Sequence, residues 1–317
     1  MPAERRLRIL TWNVHGNYLH ALAHVPHEWL VPVAGMRPGY TPPTPELDWP
    51  AHVRVVDPGQ LRDETLDLIV YQSRDNLADA PQLLRPAQLA LPSLYVEHNP
   101  PEPHPTDSWH PFRHPRGLLL HVTHHNAQMW QAPGMPARVI EHGVPDPGRV
   151  AAGAREGGIT VINHLARRGR RLGLDLYQRA HARLALDLIG MGSRELPGGL
   201  GEVPNREVPA FMARYRYLFS PVRYASLGLS VVQAMLCGLP VVGFAATELA
   251  SLIRNGEDGY VDSREQGWLE AAHALAQDEA LARRWGEAAR RKALRRFGMA
   301  RFIAEWDETL QALKEQA

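Results

Sequence analysis

The stretch SPVRYASLGLSVVQAMLCGLPVV, residues 220–242, contains the boundaries expected of a strand–loop–helix–strand unit. Gly228 precedes a helical segment, residues 229–236, and Gly238 ends that segment before the next apolar run. A loop that leads into the N-terminus of a helix exposes free N–H groups and attracts negative charge. The pattern alone therefore predicts either an ordinary unit of a parallel sheet or an anion-binding site.

Short apolar runs bounded by turn residues occur along most of the chain, and we predict them to be buried strands. They cover residues 6–12, 66–72, 92–98, 117–123, 157–163, 184–192, 215–221 and 239–244. Helical stretches such as 170–184 lie between them. Strands that alternate with helices form parallel sheets covered on both faces. The fold class predicted is α/β, with two doubly wound Rossmann-like domains facing a cleft and with C-terminal helices.

The domain boundary is expected in residues 142–158, where glycine, proline and small residues cluster. The predicted domains are residues 1–147 and residues 148–297. Residues 298–317, which begin at the helix-breaking Gly298, are expected to form a helix that packs back on the first domain. Because ligands bind at the carboxyl ends of parallel strands, the cleft between the domains is the expected site.

Composition excludes several classes of protein. A net charge of +1 over 317 residues gives no overall attraction to nucleic acid. Cys237 is the only cysteine, which excludes an internal disulfide and favours a reducing compartment such as the cytoplasm. The N-terminal residues 1–12 lack the apolar region of a signal peptide, and no apolar run is long enough to span a membrane.

Residues 220–242 resemble the donor-site signature of retaining GT-B glycosyltransferases, which includes E-x-F-G-x-x-x-x-E-A-M-A-C-G-x-P-V-V. The identities are Gly228, Ala234, Met235, Cys237, Gly238, Pro240, Val241 and Val242. Residues 253–261 resemble the N-G-x-x-G-x-x-V that follows it in the family. The resemblance implies a metal-independent hexosyltransferase that moves a sugar from a nucleoside diphosphate to an acceptor hydroxyl with retention, and no cofactor besides that donor substrate.

The two glutamates of the family signature are replaced here, by Ala225 and Gln233. The resemblance implies that the first contacts the transferred sugar and that the second accepts hydrogen bonds from the ribose. Gln233 keeps an acceptor oxygen, whereas Ala225 removes the side-chain contact. The N–H groups of Leu227, Gly228 and Leu229 would still reach a hydroxyl or phosphate. Two alternatives to a transferase stay open: a non-catalytic nucleotide- or glycan-binding relative, and a nucleotide-sugar epimerase of GT-B fold.

Residues 162–169 resemble the family segment V-G-R-L…K-G, whose cations neutralise the leaving diphosphate. Arg168 stands for the lysine, and we expect it to be a buried or half-buried clamp on the diphosphate. His164 stands for the arginine, and Asn163 beside it is assigned to donor binding. The alternative is that the arginines 167, 168, 170 and 171 form a solvated basic turn. The sequence contains no D-x-D triplet.

The first domain contributes two further candidates by resemblance. His98 follows a strand, as does the family histidine that positions the donor sugar, and Gly16 lies in a segment similar to the family's glycine loop near the diphosphate. A tight turn is the alternative explanation for Gly16. The histidines 121, 124 and 125 form a rival metal cluster, but no paired cysteine or carboxylate spacing supports it, and we expect no metal site.

The acceptor is expected to be a glycan, a lipid or a small molecule. A basic helical segment, residues 283–296, has the charge to touch an anionic membrane, and the inner membrane face is therefore an alternative location to the open cytoplasm. The competing interpretation is that these charges are solvated. In that case Trp285, Ala289 and Leu294 pack on the sheet.

Overall fold

The structure is a computed structural model, which describes residues 6–148 and 153–315. The chain divides into two compact units. Unit 1 comprises Met1–Gly143 and Met299–Ala317, and unit 2 comprises Val144–Gly298. Residues 149–152 of the expected boundary segment, residues 1–5 of the N-terminal segment and residues 316–317 lie outside the described residues.

Unit 1 is built on a seven-stranded parallel sheet with the strand order β3-β2-β1-β4-β5-β6-β7. Its strands are β1 (Arg8–Thr11), β2 (Glu28–Pro32), β3 (Val53–Val56), β4 (Leu68–Tyr71), β5 (Ser93–Glu97), β6 (Gly117–His121) and β7 (Ala137–Val139). Its first helices are α1 (Gly16–Leu22), α2 (Arg74–Leu83), α3 (Pro86–Leu89) and α4 (His124–Met129). The order reverses between β1 and β4, as in a doubly wound fold.

Unit 2 is built on a six-stranded parallel sheet with the order β10-β9-β8-β11-β12-β13. Its strands are β8 (Arg155–Val161), β9 (Leu186–Ile189), β10 (Gly199–Gly201), β11 (Tyr215–Ser220), β12 (Val241–Phe244) and β13 (Gly259–Asp262). Its helices are α5 (Leu165–Arg168), α6 (Leu174–His181), α7 (Val208–Met212), α8 (Leu229–Cys237), α9 (Leu249–Leu252), α10 (Glu265–Gln277) and α11 (Glu279–Phe297). The α/β class and the two doubly wound domains are confirmed.

All eight predicted strands are present, but the helix predicted over residues 170–184 is wrong in its extent. A short 3-10 turn, Gly169–Leu172, comes first, and the α-helix is Leu174–His181. The break lies at Gly173, whose φ is +82°. A Cβ there would overlap the carbonyl of Pro221, so close packing against the loop after β11 interrupts the helix.

The last helix, α12 (Met299–Glu315), belongs to unit 1 although it directly follows α11 of unit 2. Phe302, Trp306 and Leu310 are fully buried among side chains of β1, β4 and α1. A guanidinium nitrogen of Arg301 donates to the carbonyl oxygens of Glu141 and His142, at 2.9 and 2.8 Å. The helix therefore completes one apolar face of the unit 1 sheet.

Helix α11 carries the basic segment, and its apolar face differs in one position from expectation. Trp285 and Ala289 are buried, as predicted, but Leu294 is 40% exposed, because Ala293 and Phe297 occupy the buried face instead. Several basic side chains of α11 form ion pairs with acidic residues of unit 2. Those ion pairs are Arg290 with Asp146, Lys292 with Asp258 and Arg296 with Glu248. Within residues 6–148 and 153–315, no helix combines the length and apolar character needed to cross a bilayer.

Candidate functional site

The strand order of unit 2 reverses between β8 and β11, so the loops after these strands meet at the carboxyl edge of the sheet. These are the loops 162–164 and 221–228. The hydroxyl of Ser230, in the first turn of α8, donates to the carbonyl of Val161 at the end of β8, at 3.2 Å. Ligands of open parallel sheets bind at this kind of position.

The N-terminus of α8 lies at the same edge. Gly228 is its N-cap residue in an extended conformation, no side chain caps the helix, and its first turn has no acidic residue. Leu227 is buried, Gly228 is exposed and Leu229 is half-buried. The Val231 amide donates to the Gly228 carbonyl at 3.0 Å, whereas the amides of Leu229 and Ser230 have no intrahelical acceptor, so this end of the helix can bind an anion.

Gly228 is not required by the fold. Its φ is −71°, and a Cβ there would meet only Ser230 Oγ, at 3.5 Å. Serine is a slightly better N-cap than glycine, by a few tenths of a kcal/mol. Because residues 220–242 resemble a nucleotide-sugar donor site, we use UDP as a probe, and we expect Gly228→Ser to keep or slightly raise the melting temperature yet to weaken binding of that probe about 10-fold by filling the space before the amides. Thermal denaturation and calorimetry test this, and unchanged UDP affinity would contradict it.

The loop after β8 is fastened to the loop after β9. Asn163 Oδ1 accepts from the Met191 amide at 2.9 Å, and the His164 amide donates to the Met191 carbonyl at 2.6 Å. His164 is half-buried and has φ +54°. Thr247, after β12, is the only other described non-glycine residue with positive φ. Such strained backbone clusters at functional sites, and both residues lie at the carboxyl edge of this sheet.

The arginines 167–171 divide into two pairs. Arg170 pairs with Asp175 at 2.9 Å, and Arg171 Nε donates to the Tyr224 carbonyl at 2.9 Å. In contrast, Arg167 and Arg168 are exposed, and neither guanidinium has a hydrogen-bonding partner in the part of the chain that the structure describes. By solvent exposure Arg168 therefore differs from the buried or half-buried residue that we expected, although partial desolvation still lowers the pKa of its guanidinium. Its charge is not neutralised by a described acidic group.

The loop after β11 is held against the start of α6. Arg223 binds Asp175 through two hydrogen bonds, of 2.5 and 2.8 Å, and the amides of Arg223 and Tyr224 donate to the Arg171 carbonyl. The neighbouring Arg223 guanidinium holds the pKa of Asp175 well below its usual range. These contacts fix the backbone of the loop that leads to Gly228.

Ala225 and Gln233, which stand where the family signature has glutamates, differ in their surroundings. Ala225 is half-buried and packs against the apolar cluster between the sheet and helices α6 and α10. Gln233 is half-buried, and its side chain makes no hydrogen bond to another described residue. The amide of Gln233 is therefore available to a ligand, whereas Ala225 contributes apolar packing.

The segment 253–261, which resembles the second part of the family signature, has a structural role. The Asn255 side chain accepts from the Val261 amide and donates to the Val261 carbonyl, at 2.8 and 2.9 Å. Gly256 has φ +82°, and a Cβ on Gly259 would overlap the carbonyl of Val241. The segment 253–261 is thus a tight turn that places β13 beside β12.

In unit 1, His98 directly follows β5 and is half-buried. Its ring centroid lies 4.4 Å from that of His15 and 4.6 Å from that of Tyr18, both in edge-on contact. Burial, with smaller contributions from His15 and His142, holds the pKa of His98 well below its ordinary value of 6.5. His98 is therefore a neutral hydrogen-bonding group at pH 7 and not a cation.

Gly16 is the first residue of α1, next to the N-cap residue His15. A Cβ on Gly16 would make only ordinary contacts, 3.6 Å to Thr44 Oγ1 and 3.8 Å to Asn13 Oδ1. Its φ is not positive. The fold does not demand glycine at this position, so the close approach of a ligand stays a prediction.

The histidine cluster of unit 1 is dispersed. His121 is buried at the end of β6, and burial lowers its pKa to about 4. His124 and His125 instead begin α4. Among the residues that the structure describes, no three or more histidine, cysteine or acidic side chains are placed to hold a metal ion.

Two residues at the carboxyl edge of the unit 1 sheet were not predicted to belong to the site. Gln72 follows β4 and Thr11 ends β1; both are buried, and they connect to His98 by hydrogen bonds. The sequence indicated only their positions: residues 72 and 98 are the last of their predicted strands, and residue 11 is the last but one of its own. Nothing in the sequence indicated that these three strands are neighbours.

Residues 199–292 match the family Glycosyl transferases group 1. N-acetyl-alpha-D-glucosaminyl L-malate synthase of Bacillus anthracis is 30% identical over 84 residues, which is 26% of this chain. The matched segment spans 22% of that relative's length.

Solved structures match over both units. Sucrose-phosphate synthase from Thermosynechococcus elongatus superposes with a TM-score of 0.74 at 14% identity, covering 98% of this chain and 100% of that chain. Anabaena HepE in complex with UDP-glucose gives a TM-score of 0.69 at 16% identity, covering 97% of this chain and 100% of that chain.

Proposed function

We propose, since this chain has the GT-B glycosyltransferase fold and contains a glycosyl transferases group 1 domain, that it moves a sugar from a nucleoside diphosphate to an acceptor hydroxyl. The proposed transfer retains the anomeric configuration and needs no metal ion. The observation that supports it most is the meeting of loops 162–164 and 221–228 beside the uncapped start of α8.

We assign the binding of the diphosphate to positive groups of unit 2. Negative charge develops on the leaving diphosphate as the bond to the sugar breaks. The first amides of α8 and the unpaired guanidinium of Arg168 can stabilise that charge. His164, held close to Arg168 by the same short helix, adds a hydrogen-bond donor. The roles proposed for Gln233 and His98 are to bind the ribose and to hold the transferred sugar.

Purified protein incubated with UDP- and GDP-sugars, with and without glycan or small-molecule acceptors, tests the activity. UDP-glucose is a suitable first donor because it is the ligand of the Anabaena structure. We propose that nucleotide release persists in excess chelator and that product NMR shows a retained anomeric configuration. Inversion, or loss on chelation that Mn²⁺ restores, would overturn those two parts of the proposal.

A non-catalytic relative is the second candidate, and Ala225 favours it. Its methyl group packs on an apolar cluster where the family has a carboxylate toward the sugar. Tight UDP binding without turnover of any donor would support this alternative. Conversion of UDP-N-acetylglucosamine without acceptor would instead indicate the third alternative, an epimerase.

Gln233→Glu distinguishes a retained from an abandoned ribose site. If the half-buried amide faces ribose hydroxyls, a carboxylate should tighten UDP binding by about 1 kcal/mol, because hydrogen bonds to charged groups are stronger. If the site is abandoned, the substitution places an unpaired charge in a half-buried position and lowers stability. Calorimetry with UDP and a melting curve give opposite signs for the two cases.

A further inference from the structure

Three adjacent strands of unit 1 end in one chain of hydrogen bonds. Thr11 ends β1, Gln72 follows β4 and His98 follows β5. His98 Nε2 lies 2.8 Å from Gln72 Oε1, and Gln72 Nε2 donates to Thr11 Oγ1 at 3.2 Å. Thr11 and Gln72 are only 0% and 3% exposed, so the chain is anchored inside the protein.

With the amide oxygen of Gln72 toward the ring, these hydrogen bonds fix the proton on His98. An amide oxygen only accepts hydrogen bonds, so the nitrogen that faces Gln72 Oε1 must carry hydrogen. In a neutral imidazole the other nitrogen, Nδ1, then keeps its lone pair. Within residues 6–148 and 153–315, Nδ1 of His98 has no hydrogen-bonding partner, and the residue is only half-buried.

We propose that Gln72 is a positioning residue of the transfer reaction: it holds His98 as the neutral Nε2–H tautomer, so that Nδ1 accepts a hydrogen bond from a hydroxyl of the transferred sugar. This inference rests on the proposed function, because it gives His98 a sugar ligand. Gln72 itself touches neither sugar nor nucleotide in this scheme. It acts through His98 alone.

The groups around His98 favour its neutral form. His15 and Tyr18 contact the ring, and His142 lies near enough to oppose a positive charge. Glu97 precedes His98 in the chain, but its carboxylate accepts from the Asn99 amide at 2.8 Å and pairs with His110 at 3.1 Å. No carboxylate hydrogen-bonds to the His98 ring in the described residues, so His98 loses its acceptor function only when acid protonates Nδ1.

Two substitutions separate positioning from simple structural support. Gln72→Glu keeps an acceptor at the same length but stabilises protonated His98, so its pKa should rise by about 1 unit or more. Donor hydrolysis should then be near normal at pH 8.5, with its acid limb moved to higher pH. Gln72→Leu removes the acceptor, and we expect kcat to fall about 100-fold at every pH. Its melting temperature should be close to that of a matched control, Gln88→Leu.

The matched control is Gln88, which is equally buried and hydrogen-bonded in unit 1 but donates to the carbonyls of Leu61 and Glu64 away from His98. Gln88→Leu should lower the melting temperature without moving the pH profile. Equal losses of kcat in Gln72→Leu and Gln88→Leu variants at equal stability would overturn the proposal.

The resting protein gives a readout that needs no activity. Nitrogen-15 NMR of histidine-labelled protein, with His98 assigned from its missing signal in His98→Gln, reports which ring nitrogen carries hydrogen. We expect the Nε2–H tautomer in the wild type and a raised His98 pKa in Gln72→Glu. An Nδ1–H tautomer would overturn the inference even in an active enzyme. The expected NMR result in a protein that turns over no donor would show that the proposed function fails while the coupling of Gln72 to His98 holds.

Discussion

Replacing Arg168 by alanine should weaken UDP binding by about 1.5–3 kcal/mol, the usual range for hydrogen bonds that involve a charged group. No acidic side chain competes with a ligand for Arg168, because this residue is exposed and its guanidinium is unpaired among the described residues. Arg170, in contrast, is already bound to Asp175. Arg168 lies on α5, which begins directly after the loop that meets the start of α8. Calorimetric titration of both proteins with UDP measures the loss.

Two variants make this result specific. Arg167→Ala removes an exposed charge from the same turn and should cost much less, because exposed charges act weakly through solvent. Arg168→Lys keeps the charge but loses the planar fork, so an intermediate affinity is expected. Equal losses in Arg167→Ala and Arg168→Ala would mean that the basic turn attracts UDP only by its net charge.

Truncating Phe302 should destabilise unit 1 by about 3–5 kcal/mol, as is usual for a fully buried phenylalanine. The ring fills the space over Gly143, where a Cβ would overlap it. Gly143→Ala should therefore cost about 1–3 kcal/mol by overpacking. In a Phe302→Ala background the same substitution should cost less, because the ring is gone and only the clash with the Cβ of residue 302 remains.

Calorimetric unfolding tests this prediction, since two compact units can give separate transitions. The Phe302 and Gly143 variants should lower one transition and leave the other in place. Phe219→Ala, at an equally buried site in unit 2, should lower the other one. Simple additivity of Phe302→Ala and Gly143→Ala would contradict the predicted contact.

The sequence was most informative where local signals agreed. The segments of β4, β5 and β11 are buried on both faces of their sheets, so they stand out as runs made mainly of apolar and aromatic residues. The strands that were missed lack such runs. Strand β10 has the sequence GLG, β2 contains Pro32, and two of the four residues of β3 are exposed. These strands form because a neighbouring strand offers free backbone groups, which is a tertiary effect.

The candidate site was predictable only in part for a related reason. The string RRGRR, residues 167–171, contains four chemically identical side chains. Which of them are free depends on Asp175 and on the Tyr224 carbonyl, and the second lies 53 positions away along the chain. Likewise, Gln72 became relevant only when the strand order placed β4 beside β5. Local pattern located the loops, whereas contacts between loops decided the role of each side chain.

The assignment of α12 to unit 1 has a consequence for synthesis on the ribosome. Unit 2 is continuous, Val144–Gly298, and all of its strands and helices are synthesised before α12. The sheet of unit 1 is synthesised before unit 2, yet it lacks Phe302, Trp306 and Leu310 until α12 is made. At typical elongation rates the nascent sheet of unit 1 waits on the order of ten seconds with one apolar face uncovered. The first unit to be translated is thus the last to be completed, and during that interval it is a natural client for a chaperone.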